Sequence, residues 1–351
     1  MAISWPAFLE AQGAHFVGDG VAHFGEPRTQ GTRVQTASLC PLTSWGLIAA
    51  QGSDAVTFLQ GQLTCDVAAV TVDRHGLGAH CNPKGRIRAL FRLFQSRDGL
   101  YLRCPRELVD AALLGLKRYI LRAAVTLEAA THQGSLGVAG PGAAAVLAEA
   151  LPGVVPPPTP GAAALAEDIA ILRVPGDGER FELHGPTAAL AKLWPALARG
   201  AVPTGYPIWH LGDIQAGLPQ IYPATAEAFI PQMINLEHLG GVSFKKGCYT
   251  GQEIVARSHY LGSVKRRLYG AKVTTGAPPA PGLPVLAEPG EAAAERGKVV
   301  DAAPLGDGGA ELLVVLNLAA AEGPGAGALV LEDGRPLVAL APRAPLPKAA
   351  P

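Results

Sequence analysis

The sequence has few cysteines and none of the spacings that hold a metal. Its five cysteines (Cys40, Cys65, Cys81, Cys104 and Cys248) are odd in number, widely spaced and free of any Cys-x-x-Cys pair. This pattern excludes a disulfide framework and a zinc site. It also excludes an iron–sulfur cluster held by the cysteines of this chain alone. We therefore predict no resident metal.

The chain also lacks net charge and long apolar runs. Charged residues make up 17% of it and balance to a formal net charge of +0, so no global field attracts nucleic acid, and direct nucleic-acid binding is not expected. No apolar run reaches about 18 residues without Gly, Pro or a charge, so we predict no membrane span. Residues 1–6 lack the start of a secretory signal. A reduced, cytoplasmic protein is the simplest interpretation.

What is present is ample apolar sequence, since 48% of the residues are hydrophobic. The length of 351 residues exceeds a single ordinary core and predicts two or three domains. Strand and helix patterns alternate up to about residue 264 without a regular β–α–β rhythm. This favours an α+β fold over a doubly wound sheet. Beyond Lys265, short β-like runs separated by Gly, Pro and Asp predict a small β-barrel or sandwich.

A row of arginines follows a strong turn at residues 82–85, which reads Asn-Pro-Lys-Gly. Alternation over residues 86–93 predicts a strand with Arg86, Arg88 and Arg92 on one face. Such a row either lines a groove for an anionic ligand or forms a solvated face. The residues alone leave both interpretations open.

The most informative stretch surrounds the last cysteine. It reads Lys246, Gly247, Cys248, Tyr249, Thr250, Gly251, Gln252 and Glu253. Thr250 followed by Glu253 is the pattern of a capping box, which predicts a short helix through Arg257. Cys248 would then lie beside Lys245 and Lys246 and near the positive end of that helix. Both features favour the thiolate, whereas a buried, inert cysteine is the alternative. The two glycines allow a ligand to approach the backbone closely.

Residues 229–257, which contain this motif, closely resemble the YgfZ family. Residues 58–66, 81–86 and 213–219 support the resemblance, which spans about 45–345. This family comprises folate-binding proteins similar to the aminomethyltransferase of the glycine cleavage system, implicated in iron–sulfur enzyme maintenance and tRNA modification. The resemblance implies two α+β portions with ferredoxin-like topology and a C-terminal β-barrel. We place these at 1–150, 151–264 and 265–345, with a disordered tail at 346–351.

The resemblance further implies tetrahydrofolate or a derivative as cofactor. Trp45 and Trp209 match tryptophans that contact folate in the family, and Glu182 matches the carboxylate that grips the pterin in the aminomethyltransferases. Aromatic faces suit a flat, amphipathic pterin, and a carboxylate can accept two hydrogen bonds from its amino-pyrimidine edge. From the residues alone, core packing of the tryptophans and an exposed glutamate are the alternatives.

Two departures separate the chain from the aminomethyltransferases. Ala89 and Leu90 stand where those enzymes carry an aspartate pair, and Asp213 stands where an arginine is expected. Without the carboxylates, the general acid–base step has no agent, so folate binding without glycine cleavage is expected.

The predicted function is that of an accessory protein that uses folate and a reactive Cys248. It would support assembly or repair of iron–sulfur enzymes, including tRNA-modifying ones, with those enzymes or cluster carriers as transient partners. A folate-dependent one-carbon transferase of the aminomethyl type and a scaffold protein are the alternatives.

Overall fold

A computed structural model of the chain describes residues 4–25, 36–260, 264–287, 294–322 and 328–344. The helices in these ranges are α1 (Trp5–Ala11), α2 (Ala55–Gln60), α3 (Val109–Lys117), α4 (Ala143–Ala150), α5 (Thr187–Gly200), α6 (Tyr206–Gln215), α7 (Gln252–Tyr260) and α8 (Leu318–Glu322). The strands are β1 (Ala14–Val17), β2 (Gly20–Phe24), β3 (Ala37–Pro41), β4 (Trp45–Gln51), β5 (Gly76–Cys81), β6 (Ile87–Ser96), β7 (Gly99–Pro105), β8 (Thr126–Ala129), β9 (Gln133–Ala139), β10 (Ala163–Ala166), β11 (Ile169–Arg173), β12 (Arg180–Pro186), β13 (Ala201–Pro203), β14 (Arg266–Val273), β15 (Pro284–Ala287), β16 (Glu295–Pro304), β17 (Ala310–Asn317), β18 (Leu329–Leu331) and β19 (Val338–Pro342).

The chain divides into two compact units, each built from separate stretches. The first unit contains Met1–Gln60, Asp66–Gly76 and Phe91–Gly212, and the second contains Gly61–Cys65, Leu77–Leu90 and Asp213–Pro351. Strands β5 and β6 and helix α6 therefore run from one unit into the other along the chain. The three predicted domain ranges stay a prediction, and the predicted tail at 346–351 lies outside the described residues.

In the first unit, a six-stranded sheet has the order β10-β11-β12-β9-β3-β13. Its pairs are antiparallel except for β13, which runs parallel to β3. Helix α5 buries a stripe formed by Leu190, Trp194 and Leu197 against one face, the periodicity of an amphipathic helix. Phe181 and Leu183 of β12 face the same core. Because side chains alternate along a strand, the residue between them, Glu182, points to the opposite face.

A five-stranded sheet has the order β5-β6-β7-β4-β8. In the first unit, β4 pairs antiparallel with β7 and β8. Trp45 and Leu47 of β4 and Tyr101 of β7 share a buried core with Leu172 of β11 and Trp209 of α6. The inner faces of both sheets therefore contribute to one core within this unit.

In the second unit, a six-stranded antiparallel sheet has the order β18-β15-β16-β17-β14-β19. It curls into a half-barrel around buried residues such as Val285, Val299 and Leu312. The prediction of short C-terminal β-strands is confirmed.

The structure corrects one local prediction and bears on one alternative that the sequence left open. Helix α7 begins at Gln252, and Gly251 before it has φ +82°, which is not helical. Thr250 is therefore not the N-cap residue of this helix, and the predicted capping box does not form. Arg92 of β6 is buried, whereas Arg88 is 34% exposed and pairs with Glu227, so the arginine row does not form one solvated face. No helix within the described ranges is long and apolar enough to cross a membrane.

Candidate functional site

In the first unit, Trp45 and Arg103 form a buried stacked pair. Trp45 opens β4, and Arg103 of β7 lies opposite Leu47 in the strand register. Residues two apart on a strand share a face, so the two side chains meet. The guanidinium carbon of Arg103 lies 4.0 Å from the centroid of the Trp45 ring. At this distance the cation and the ring quadrupole attract each other.

Glu182 is buried with a side chain 1% exposed, and it lies between two guanidiniums. Its Oε2 is 3.2 Å from Nε of Arg103 and 3.4 Å from Nε of Arg92. Arg92 and Arg103 face each other across β6 and β7, where like charges repel, and the carboxylate offsets this repulsion. Burial acts to raise the pKa of Glu182, but Arg103 and Arg92 outweigh it and hold that pKa well below its usual value. The carboxylate is therefore ionised.

His184 completes the surroundings of this carboxylate. Its Nε2 lies 3.1 Å from Oε2 of Glu182, and its Nδ1 lies 2.8 Å from Oγ of Ser135. Burial lowers the pKa of His184 despite the neighbouring carboxylate, so the ring is neutral. A neutral ring has one donor and one acceptor. We therefore assign the proton to Nε2, which donates to Glu182, while Nδ1 accepts from Ser135.

His75 is also neutral, and for the same physical reason, burial of its ring. Its Nδ1 lies 3.3 Å from Nη1 of Arg92, which can only donate, so Nδ1 is the acceptor. Its Nε2 donates to the carbonyl of Arg173 at 2.8 Å. Burial, together with Arg92, lowers the pKa of His75 to about 3.

Trp209 of α6 lies flat against the backbone of Gly137 in β9. A Cβ on Gly137 would come within 2.4 Å of the ring carbon Cε3 of Trp209. Gly137 is the register partner of Glu182, so this indole packs beside the buried carboxylate's strand. The guanidinium carbon of Arg180 lies 4.3 Å from the Trp209 ring centroid, and its Nη2 donates to the carbonyl of Trp209 at 3.1 Å.

Both tryptophans keep an unused hydrogen-bond donor. Among the described residues, Nε1 of Trp45 and Nε1 of Trp209 are buried without an acceptor, and so is Nη1 of Arg103. The three predicted folate residues thus lie in one unit, and Arg103 links two of them. Buried donors without acceptors are rare in proteins. They suit a ligand that presents oxygen or nitrogen acceptors.

In the second unit, Cys248 is the accessible thiol. All five cysteines lie within the described ranges, and Cys248 alone among them is exposed. Burial raises the pKa of Cys81 and of Cys104 to about 12, which leaves both as inert thiols. The predicted alternative of a buried Cys248 is therefore wrong.

The residues around Cys248 form a locally ordered loop. Lys246 donates from Nζ to the carbonyl of Leu63 at 2.6 Å, and this nitrogen lies 5.1 Å from the Tyr249 ring centroid. Tyr249 is 6% exposed, and burial raises the pKa of its phenol. Gln252 and Glu253 form the first turn of α7, with Glu253 exposed.

The two motif glycines differ in their surroundings. A Cβ on Gly251 would lie 2.4 Å from the carbonyl oxygen of Asn82 and 2.9 Å from Cα of Gly85. The left-handed backbone of Gly251 thus lets the motif pack on the turn at 82–85. A Cβ on Gly247 would meet no described atom within 4 Å. The backbone at Gly247 is therefore open to a close approach.

Sequence reasoning missed Arg103, His184 and Arg180. A signal exists, because Arg103 is the one charged residue of the apolar strand β7, where a charge needs a buried partner. On β12, Arg180 and His184 alternate with apolar residues and therefore share a strand face with Glu182. The positions lacking the aspartate pair, Ala89 and Leu90, are buried at 1% and 2% exposure.

Comparison with known proteins identifies relatives over most of the chain, although no protein-family model matches it. The tRNA-modifying protein YgfZ of Yersinia enterocolitica serotype O:8 / biotype 1B is 38% identical over 287 residues, covering 80% of this chain and 86% of that protein. The tRNA-modifying protein YgfZ of Yersinia pseudotuberculosis serotype IB is 37% identical over 280 residues, covering 80% and 84%.

Among solved structures, the glycine cleavage system aminomethyltransferase T from Bartonella henselae is similar, with a TM-score of 0.75 and 19% sequence identity. The similarity covers 98% of this chain and 97% of that one. It confirms the predicted α+β fold class, with ferredoxin-like sheet arrangements and a curled C-terminal antiparallel sheet. The 37–38% identity to the curated relatives over 80% of the chain shows that the chain belongs to the YgfZ family.

Proposed function

We propose that the chain is a folate-binding accessory protein that supports iron–sulfur enzymes, including tRNA-modifying ones. The observation that carries the proposal is the buried group of Trp45, Trp209 and Glu182 in a fold shared with a folate-dependent enzyme family. The indole nitrogens of both tryptophans lack acceptors among the described residues. A ligand rich in acceptors would satisfy them.

The residues present fit a reduced folate. The ionised carboxylate of Glu182 is an acceptor for the N–H groups of a pterin. Trp45 and Trp209 would donate from their Nε1 edges, since a guanidinium already lies over each ring. Bound tetrahydrofolate or a derivative would supply a carrier for one-carbon units. Arg103 and Arg180 hold the indoles in position for it.

Cys248 is proposed as the thiol that acts on a cluster, a cluster-carrying partner or a reactive one-carbon species. Its exposure, unique among the chain's five cysteines, all of which are described, supports this role. One exposed thiol is compatible with thiol exchange and with transient cluster ligation.

The relatives are called tRNA-modifying proteins. For this chain we propose that the link to tRNA runs through a cluster-containing modifying enzyme, since a net charge of +0 gives no field for a polyanion. A one-carbon transferase receives no support from Ala89 and Leu90, which are buried and apolar. We place the protein in the cytoplasm, where such enzymes are assembled.

Titration of the purified protein with tetrahydrofolate under anaerobic conditions, followed by tryptophan fluorescence, tests the folate site. We expect saturable quenching in the wild type, weakened in Trp45→Phe and in Trp209→Phe. Trp194→Phe is the matched control, because Trp194 is 2% exposed in a separate core of the same unit. Absence of binding to any reduced folate would contradict the proposal.

The role of Cys248 is tested by complementation. In cells lacking the native protein, Cys248→Ser should fail to restore the activity of iron–sulfur enzymes while the purified variant still binds tetrahydrofolate. Cys65→Ser, at a buried position, is the control and should restore it. Full restoration by Cys248→Ser would remove this thiol from the mechanism.

A further inference from the structure

We propose that Arg103 is a ligand-binding residue that donates from Nη1 to the C4 carbonyl oxygen of the pterin, beside the ring N–H that Glu182 accepts. This inference rests on the proposed folate site and adds to it a residue that recognises one edge of the pterin ring by a hydrogen bond.

The first support is an unused donor held in a fixed place. The side chain of Arg103 is 2% exposed, yet Nη1 has no hydrogen-bond acceptor among the residues that the structure describes. The guanidinium is nevertheless fixed on two sides. Trp45 lies beneath it at 4.0 Å, and Oε2 of Glu182 lies 3.2 Å from Nε. A donor that is buried, rigid and unpaired is preorganised for an acceptor supplied from outside the chain.

The second support is the local charge. Arg92 and Arg103 face each other across paired strands, and both lie close to the one carboxylate of Glu182. The nearby histidines supply no negative charge to Arg103, because His184 donates to the same carboxylate and His75 is neutral. A carbonyl oxygen, which is the negative end of a strong dipole, is favourable beside Arg103, whereas a further N–H donor is not.

The third support is the match between two neighbouring groups. Glu182 presents an acceptor and Arg103 a donor, and the two side chains are in direct contact at 3.2 Å. The hydrogen bond and ion pairs described for the carboxylate all use Oε2. A 4-oxopterin carries N3–H and C4=O on adjacent ring atoms, so it presents the complementary pair. A 4-aminopterin presents a ring nitrogen and an NH₂ group there instead, which reverses both.

The test compares two ligands that differ at that edge. Binding of tetrahydrofolate and of its 4-amino analogue, tetrahydroaminopterin, is measured by anaerobic calorimetry with the wild-type protein. We expect the 4-oxo compound to bind at least about 10-fold more tightly, the effect of one charge-assisted hydrogen bond. Equal affinity would overturn the inference and leave the proposed function standing. Binding of neither compound would overturn both.

Variants assign the preference to Arg103. Arg103→Gln should bind tetrahydrofolate about 10- to 100-fold more weakly and lose most of the 4-oxo preference. Arg97→Gln is the matched control, because Arg97 is 67% exposed and should keep both. If circular dichroism shows that Arg103→Gln is unfolded, Arg103→Lys, which keeps the charge without the planar fork, takes its place. An unchanged 4-oxo preference in the folded variant would overturn the inference.

Discussion

At the scale of single residues, a glycine sets the position of an aromatic side chain. Gly137 lies in the middle of a sheet, where a glycine weakens the strand. Its lack of a side chain lets the Trp209 ring rest on the backbone, since a Cβ would lie 2.4 Å from that ring. Gly137 thus lowers the stability of its strand but allows the indole of Trp209 to lie beside the strand that carries the buried carboxylate of Glu182.

We predict that Gly137→Ala displaces Trp209 and destabilises the protein by about 1–3 kcal/mol, the usual cost of overpacking a core. Urea unfolding measures the stability, and the fluorescence maximum reports the changed surroundings of the indole. Gly76→Ala is the control, because a Cβ there would meet its nearest atom at 3.8 Å, an ordinary contact. Equal behaviour of the two variants would refute the packing argument.

A second residue-scale prediction concerns pH. The pKa of His75 is about 3 in the folded protein against 6.5 ordinarily, so the unfolded chain binds a proton between these values that the folded protein does not. Stability should therefore fall as the pH drops below about 6.5, by up to about 1.4 kcal/mol per pH unit from this group. His75→Gln, whose side-chain carbonyl can accept from Arg92, should show a shallower dependence in urea unfolding at pH 5, 6 and 7.

The exposed His132 provides the comparison for that experiment. His132→Gln makes the same substitution at an exposed position and controls for the change of residue type. If His75→Gln kept the wild-type slope, the folded protein would bind a proton at His75 in this range, and the assigned neutral ring would be wrong.

The third prediction follows from the uneven exposure of the cysteines. In the native protein, a thiol-reactive dye such as Ellman's reagent should modify Cys248 rapidly and the four buried cysteines slowly. Cys248→Ser should abolish the fast phase, and urea should expose all remaining thiols. A fast phase that survives in Cys248→Ser would show that another cysteine is accessible.

At the scale of elements, the start of α7 depends on contact with a distant turn. Gly251, with φ +82°, lies against Asn82 and Gly85, and a Cβ on Gly85 would lie 3.0 Å from Cβ of Ile254. The spacing of Thr250 and Glu253 predicts a helix here, and the helix is present. Its start could not be predicted, because a turn about 165 residues earlier fixes the backbone of Gly251.

We predict that Gly251→Ala destabilises the protein by at least about 1–3 kcal/mol, since a left-handed alanine is strained and would also clash with the Asn82 carbonyl. Thermal unfolding measures the loss. Gly247→Ala, five positions before the first residue of α7 and open on its Cβ side, should be close to neutral. A loss as large in Gly247→Ala would mean that the motif responds to any added methyl group.

At the scale of the whole molecule, local sequence patterns predict helices and strands better than they predict the tertiary contacts between them. The apolar patterns of β11, β12 and α5 predict these three elements, and the Pro-Gly-Asp-Gly turn at 175–178 predicts that the two strands pair. Arg92 illustrates the limit. Its strand alternates as a half-exposed strand does, yet both faces are covered, and the carboxylate that neutralises Arg92 lies about 90 residues away. The family resemblance is what identifies Trp45 and Trp209 as site residues, because periodicity alone assigns both side chains to a buried core.

The discontinuous units predict the outcome of truncation. A fragment that ends at Gly212 contains Gly61–Cys65 and Leu77–Leu90 but lacks the rest of the second unit. Its apolar residues Leu63, Ala79 and Ile87, buried in the full chain, would lose their surroundings. We expect this fragment to bind the dye ANS and to aggregate at concentrations where the full chain stays soluble. A soluble fragment that binds no ANS would show that the first unit folds without the second.

The same discontinuity has a consequence for synthesis. Leu77–Leu90 leaves the ribosome long before Asp213, the first residue of the large remaining stretch of its unit. At roughly 5–20 residues per second, the wait is on the order of 6–25 s for about 120 residues. During that time the backbone N–H and carbonyl of Ile87, which bond to Phe229 and Glu227 in the folded chain, lack these partners. The early half of this protein is therefore where we expect a ribosome-associated chaperone to act.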